Sequence, residues 1–172
     1  AMRSGPATGK PTSTEQAGLL FAVHSGHGEF PKIVLAPGDP VEMIDLTLKA
    51  FDLADMYQTP VIVLSDKFLS ESHYSIVKET IDKKLNDHTI NRGRITSDTK
   101  QYPYLRYKIE DDVISEMLVP GKKGVYYQAN SYEHLEDSHT TESSDERIKQ
   151  ADKRNKKTQT YYKNHFEQPK IL

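Results

Sequence analysis

Apolar positions are densest over residues 31–66, where they fall in three blocks. Lys32-Ile33-Val34-Leu35-Ala36-Pro37 and Val61-Ile62-Val63-Leu64-Ser65 are short runs, apolar on successive positions. That pattern predicts two strands of a parallel sheet covered on both faces. Between them charge returns every three or four residues, at Glu42, Asp45, Lys49, Asp52 and Asp55, while Val41, Ile44, Leu48 and Phe51 fill another side, widened by Met43, Leu46, Leu53 and Ala54. The spacing predicts an amphipathic helix. Its start is written in Asp39-Pro40-Val41-Glu42: Asp39 accepts bonds from free N–H groups, Pro40 fits the first turn, and Glu42 reaches back. Strand, helix and strand form a βαβ crossover, for which the right-handed connection is the rule.

The rest of the chain is more polar. Residues 3–14 form a loop punctuated by Gly and Pro, and Thr12 or Ser13 is placed to cap a helix with Glu15 or Gln16 in its first turn and Leu19, Leu20, Phe21 and Val23 as its apolar face. Gly26 and Gly28 end that helix. Residues 67–73 predict a short helix, residues 77–85 another, and residues 86–100 a loop. Residues 102–109 read as an edge segment, because Pro103 has no N–H to donate, with tyrosines packed along one face. Pro120-Gly121-Lys122-Lys123-Gly124 is a turn into a strand at residues 125–129. Residues 131–146 are acidic, and Ser143 opens a basic helix running to about His165. Its thin stripe of Ile148, Ala151, Thr158 and Tyr162 predicts light docking on the parent protein.

Composition narrows the function. A chain of 172 residues buries one core, or one domain with an extension. A formal net charge of −2 argues against a nucleic-acid partner, which needs a concentrated basic surface. No apolar run reaches the length of a membrane span and no signal-peptide pattern opens the chain, so a soluble, cytoplasmic protein is expected. The sequence has no cysteine, which removes disulfides, thiolate nucleophiles and any iron–sulfur cluster held by this chain. Gly9-Lys10 fails as a phosphate-binding loop, because Ser4 and Pro11 stand where that motif needs Gly and Ser or Thr. His24, His27 and Glu29 have metal-compatible spacing, but a polar loop edge explains them without converging ligands.

The loop and the crossover together resemble a known family. Arg3-Ser4-Gly5-Pro6-Ala7-Thr8-Gly9-Lys10-Pro11-Thr12 is similar to the Arg-Ser-Gly-Pro-Ser-Thr-Gly-Leu-Pro-Thr loop of 2-oxoacid:ferredoxin oxidoreductase alpha subunits. The likeness continues through Gly26-His27-Gly28-Glu29-Phe30-Pro31, Leu35-Ala36-Pro37-Gly38-Asp39 and residues 57–66, with a weaker echo at Glu133-His134, at residues 139–142 and in the basic helix. It implies an α/β fold: a partial three-layer parallel-sheet domain of the thiamine-diphosphate pyrimidine type, with a mixed α+β extension. Residues 3–73 are expected to be the C-terminal part of the pyrimidine-binding domain, residues 74–130 a mixed connecting region, and residues 131–172 an acidic loop with the basic helix.

The resemblance further implies thiamine diphosphate with magnesium at an alpha/beta subunit interface, and an iron–sulfur cluster in the beta subunit. Ferredoxin and coenzyme A would be partners through the complex. Within the loop, Arg3 is expected to grip the substrate carboxylate, because a guanidinium fork matches a carboxylate with two bonds. Ser4, Thr8 and Thr12 are expected to line the same pocket. No catalytic residue and no metal ligand is expected in this chain. The family's alpha subunit extends on both sides of the matched segment, so the isolated chain is expected to be an inactive fragment that does not bind the cofactor tightly and pairs with a second copy through exposed edge and apolar surface. Two other readings are a stand-alone interaction module with the basic helix as its contact, and a small metalloenzyme built on His24, His27 and Glu29.

Overall fold

The computed structural model describes residues 1–5, 8–97, 99, 102–121 and 123–170, so Pro6 and Ala7 of the loop motif and Lys122 of the predicted turn lie outside the described residues. The chain divides into two units: Ala1–Gly28 with Lys32–Asn91, and Glu29–Pro31 with Arg92–Leu172. The first runs α1 (Leu19–His24), β1 (Ile33–Leu35), α2 (Pro40–Tyr57), β2 (Val61–Val63), α3 (Lys67–Glu71) and α4 (Lys78–Asp87).

The predicted crossover is there. β1 and β2 pair in parallel, with Ile33 opposite Val61, Val34 opposite Ile62 and Leu35 opposite Val63. The Asp39 carboxylate accepts from Val41 N and Glu42 N, each at 2.8 Å, and the Glu42 side chain reaches back to Gly38 N at 2.7 Å. Both halves of the expected helix start are therefore made. Burial departs from expectation in two places. Of the six strand residues only Ile33 is buried, the others half-covered, because a sheet of two strands has too few neighbours to close both faces. On α2 the buried positions are Ala50, Leu53 and Tyr57, while Phe51 is 69% exposed. The buried stripe thus passes through Leu53, which lies on the expected apolar side, and through Ala50 and Tyr57 rather than Phe51.

The first helix also starts later. Residues 13–18 are not helical, and α1 begins after Gly18 with no side-chain cap. Ser13, Glu15 and Gln16, which read as a cap and first turn, instead bond to the loop and to the end of β2. Gly26 and Gly28 follow with φ of 95° and 83°, a region that favours glycine.

The second unit holds β3 (Ile95–Thr96) and β4 (Met117–Leu118), paired in parallel, and α5 (Ser144–Asn164), which Ser143 caps by accepting from Glu146 N at 3.5 Å. Its core is Tyr104, Val113, Ile114, Ser115, Leu118 and Ser138, against Gln150 and Lys153 of α5. Neither residues 102–109 nor residues 125–129 form a strand among the described positions. The tyrosines do not share a face: Tyr104 is buried with its hydroxyl on Glu116 O at 2.7 Å, whereas Tyr102 is 69% exposed. The docking face of α5 is also not the predicted stripe. Ile148 and Tyr162 are largely exposed, and Gln150 and Lys153 are buried, because their polar heads reach the Tyr107 carbonyl while their stems cover apolar surface.

Candidate functional site

Met2 is where the site begins. Its N–H donates to Ser65 O and its carbonyl accepts from Lys67 N at 2.8 Å, a parallel bridge opposite Asp66, just past the carboxyl end of β2. Arg3 therefore leaves the sheet where ligands of open α/β sheets gather. Gly18 packs against the same residue: its N–H meets Met2 Sδ at 3.3 Å, and a Cβ at Gly18 would stand 2.7 Å from Met2 Cγ. Any side chain there must displace Met2.

The loop closes on itself. Ser4 N donates to Ser13 O at 3.0 Å, Ser4 Oγ to Glu15 Oε2 at 3.2 Å, and Ser13 N to Lys10 O at 3.4 Å. Gln16 Nε2 then donates to Asp66 Oδ2 at 2.8 Å, while Asp66 Oδ1 caps α3 by accepting from Leu69 N at 2.7 Å. Those two bonds, the Leu69 N–H first, hold the Asp66 carboxyl below its ordinary range.

Arg3 is exposed, and among the described residues its guanidinium makes a single long bond, Nη1 to Pro11 O at 3.5 Å. Most of its five N–H donors face solvent. Thr8 and Thr12 are exposed in the same loop, whereas the Ser4 hydroxyl is committed to Glu15. Arg3, Thr8 and Thr12 are thus exposed in the loop, and the bridge of Met2 with Asp66 sets Arg3 at the strand end. Reading the sequence missed Gln16 and Asp66, which anchor the loop across fifty positions. Asp66 did carry a signal, an aspartate at the close of an apolar run before a short helix.

His24 Nδ1 donates to Leu20 O at 2.9 Å, and among the described residues no three His, Asp or Glu side chains form a group that could hold a metal ion. No helix of the described residues is long and apolar enough to cross a membrane.

Comparison with known proteins places this loop and sheet. Residues 1–153 match the family described as pyruvate flavodoxin/ferredoxin oxidoreductase, thiamine diphosphate-binding. The chain belongs to this family. The 2-oxoacid:ferredoxin oxidoreductase alpha subunit of Saccharolobus solfataricus is 42% identical over 159 residues, covering 92% of this chain and 24% of that protein. The alpha subunit of 2-oxoacid:ferredoxin oxidoreductase 2 from Aeropyrum pernix is 46% identical over 114 residues, covering 66% of this chain and 17% of its own length. A solved structure of 2-oxoglutarate:ferredoxin oxidoreductase from Magnetococcus marinus, with 2-oxoglutarate, coenzyme A and succinyl-CoA bound, matches with a TM-score of 0.79 at 32% identity, over 96% of this chain and 28% of that one. The family member described here thus spans about a quarter of the length of these relatives, and the α/β fold with parallel strands is the one its sequence resembled.

The second unit of this oxidoreductase-family chain carries a different electrostatic feature. Burial, with Lys157 and Arg106 nearby, pushes the Lys153 ammonium down to about 7. Burial, with Arg106 and Arg154 nearby, pushes Lys157 down to about 8. Both lysines hold protons far more tightly in the unfolded chain, so between about pH 7 and 10.5 unfolding takes up protons and stability rises with pH. The melting temperature of the second unit is expected to climb from pH 7 to pH 10. A calorimetric scan series checks this, and a flat or falling profile contradicts it.

Proposed function

We propose that this chain supplies the substrate-facing loop of the alpha subunit of a 2-oxoacid:ferredoxin oxidoreductase, with residues 3–73 as the part that bears it. The reading rests on one observation: Arg3 stands exposed at the carboxyl end of parallel strands with a single 3.5 Å bond to its own loop. A guanidinium so placed binds a 2-oxoacid carboxylate with two parallel bonds and fixes the position of the adjacent carbonyl. Thr8 and Thr12, exposed in the same loop, are assigned by this reading to line that space, and Ser4 holds the loop through Glu15.

The loop offers donors suited to an organic acid, and the sequence has no cysteine to hold a cluster. As the family resemblance implies, we assign the magnesium–diphosphate end of the cofactor and the iron–sulfur cluster to a beta subunit. Thiamine diphosphate, when bound there, supplies the carbon nucleophile for decarboxylation; electrons then pass to ferredoxin and the acyl group to coenzyme A. This chain's own share is to orient the substrate. It works in the cytoplasm and, when alone, pairs with a second copy through exposed apolar residues such as Leu20 and Phe21, 73% and 79% exposed on α1.

The test is co-expression of the complete alpha subunit, containing this segment, with its beta subunit. Oxoacid-dependent ferredoxin reduction is expected from the assembly and none from the isolated chain, whose mass by light scattering should be that of a dimer. An assembly that binds both subunits yet reduces no ferredoxin with any 2-oxoacid overturns the reading.

A further inference from the structure

The loop that carries Arg3 stands on two feet, and both rest on residues 65–67. At the entering foot Met2 N–H donates to Ser65 O and Met2 O accepts from Lys67 N at 2.8 Å, a backbone bridge opposite Asp66. At the returning foot Gln16 Nε2 donates to Asp66 Oδ2 at 2.8 Å. Asp66 is itself held in place, because its Oδ1 accepts from Leu69 N at 2.7 Å. The other bonds of the loop lie inside it: Ser4 N to Ser13 O at 3.0 Å, Ser4 Oγ to Glu15 Oε2 at 3.2 Å, and Ser13 N to Lys10 O at 3.4 Å. Gly18 N meets Met2 Sδ at 3.3 Å, which ties the two ends of the loop to each other rather than to residue 66.

The entering foot fixes where Arg3 begins but not where its guanidinium points. The bond that bears on its direction, Nη1 to Pro11 O at 3.5 Å, comes from the returning half of the loop. That half is moored to the strand end through the Gln16 amide. A two-bond grip on a carboxylate needs both N–H donors in place at once, so a loop released at one foot loses it with Arg3 still present.

We propose that Gln16 is a positioning residue for substrate binding, its bond to Asp66 aiming the Arg3 guanidinium at the carboxylate of the 2-oxoacid. The inference rests on the assignment of Arg3 made above.

The test uses the complete alpha subunit assembled with its beta subunit, with oxoacid-dependent ferredoxin reduction and a thermal melt of each variant. Gln16→Glu sets a second carboxylate against Asp66 and should raise KM for the 2-oxoacid about 10-fold or more. Gln16→Ala removes the donor without adding charge and should raise KM in the same way, which covers a charged variant that fails to fold. Gln16→Glu combined with Asp66→Asn reverses donor and acceptor: the new amide donates to the new carboxylate, and its oxygen still accepts from Leu69 N. That pair should bring KM back to the starting value. In an Arg3→Ala assembly, Gln16→Ala should change kcat/KM less than about twofold, because it acts through a guanidinium already removed. A merely structural role lowers turnover through lost folded enzyme and leaves KM alone. An unchanged KM in Gln16→Ala, a folded reversed pair that keeps the raised KM, or an equal effect with and without Arg3 overturns the proposal while leaving Arg3 in its role. Arg3→Ala with KM and turnover unchanged overturns the assignment of Arg3 and this inference together.

Discussion

Arg3→Ala in the assembled enzyme is expected to lower kcat/KM for the 2-oxoacid by about 30-fold to 1,000-fold, the kinetic equivalent of losing about 2–4 kcal/mol from a desolvated charge pair. The reason is local. The guanidinium has one long bond within its loop, so the protein loses little stability with it, about 0.5 kcal/mol or less for an exposed side chain. What disappears is the fork that holds the carboxylate. Arg3→Lys should recover part of the loss, because a lysine keeps the charge but not the planar pair of donors. A purely structural arginine predicts the opposite: a lower melting temperature with KM and turnover unchanged. That result would end the assignment of Arg3, and steady-state kinetics with a thermal melt reads both quantities.

Leu53→Ala is expected to cost the first unit about 2–5 kcal/mol. Leu53 is 2% exposed and lies between Ala50 and Tyr57 on the buried stripe of α2. With a urea dependence of about 1–3 kcal/mol per molar, the midpoint should fall by about 1–2 M with the slope unchanged. Phe51→Ala is the companion measurement, because Phe51 is the larger side chain but 69% exposed. It should move the midpoint far less. Equal losses at the two positions would mean that the helix faces the sheet with the other stripe.

That contrast marks where the sequence is informative. The crossover was legible because three signals agreed: two β-branched runs, a period of three to four between them, and a helix start at which Asp39 accepts from Val41 N and Glu42 N while Glu42 reaches back to Gly38 N. Which edge of the wide apolar side of α2 is buried was not legible, since Phe51 is as apolar as Leu53. The choice belongs to the strands they meet. The loop was legible as a motif, and its mooring was not. Gln16 and Asp66 are fifty residues apart, and nothing local in either announces the other. In the second unit, periodicity misled outright. The buried positions of α5 are a glutamine and a lysine that reach a backbone carbonyl, and a pattern read from apolar residues is blind to that kind of docking. The expected strand at residues 125–129 failed for a related reason: Gln128 N finds the Ser138 hydroxyl at 2.8 Å, a side-chain partner in place of a ladder.

The shared carboxylate of Asp66 has a mechanical meaning. One oxygen pins the mouth-forming segment through Gln16 and the other pins the first turn of α3 through Leu69, so a rivet common to both forbids either from loosening alone. Neutralising it, by amide replacement or by acid well below the usual carboxylate range, would free the guanidinium-bearing arm and unwind the start of that helix in a single event.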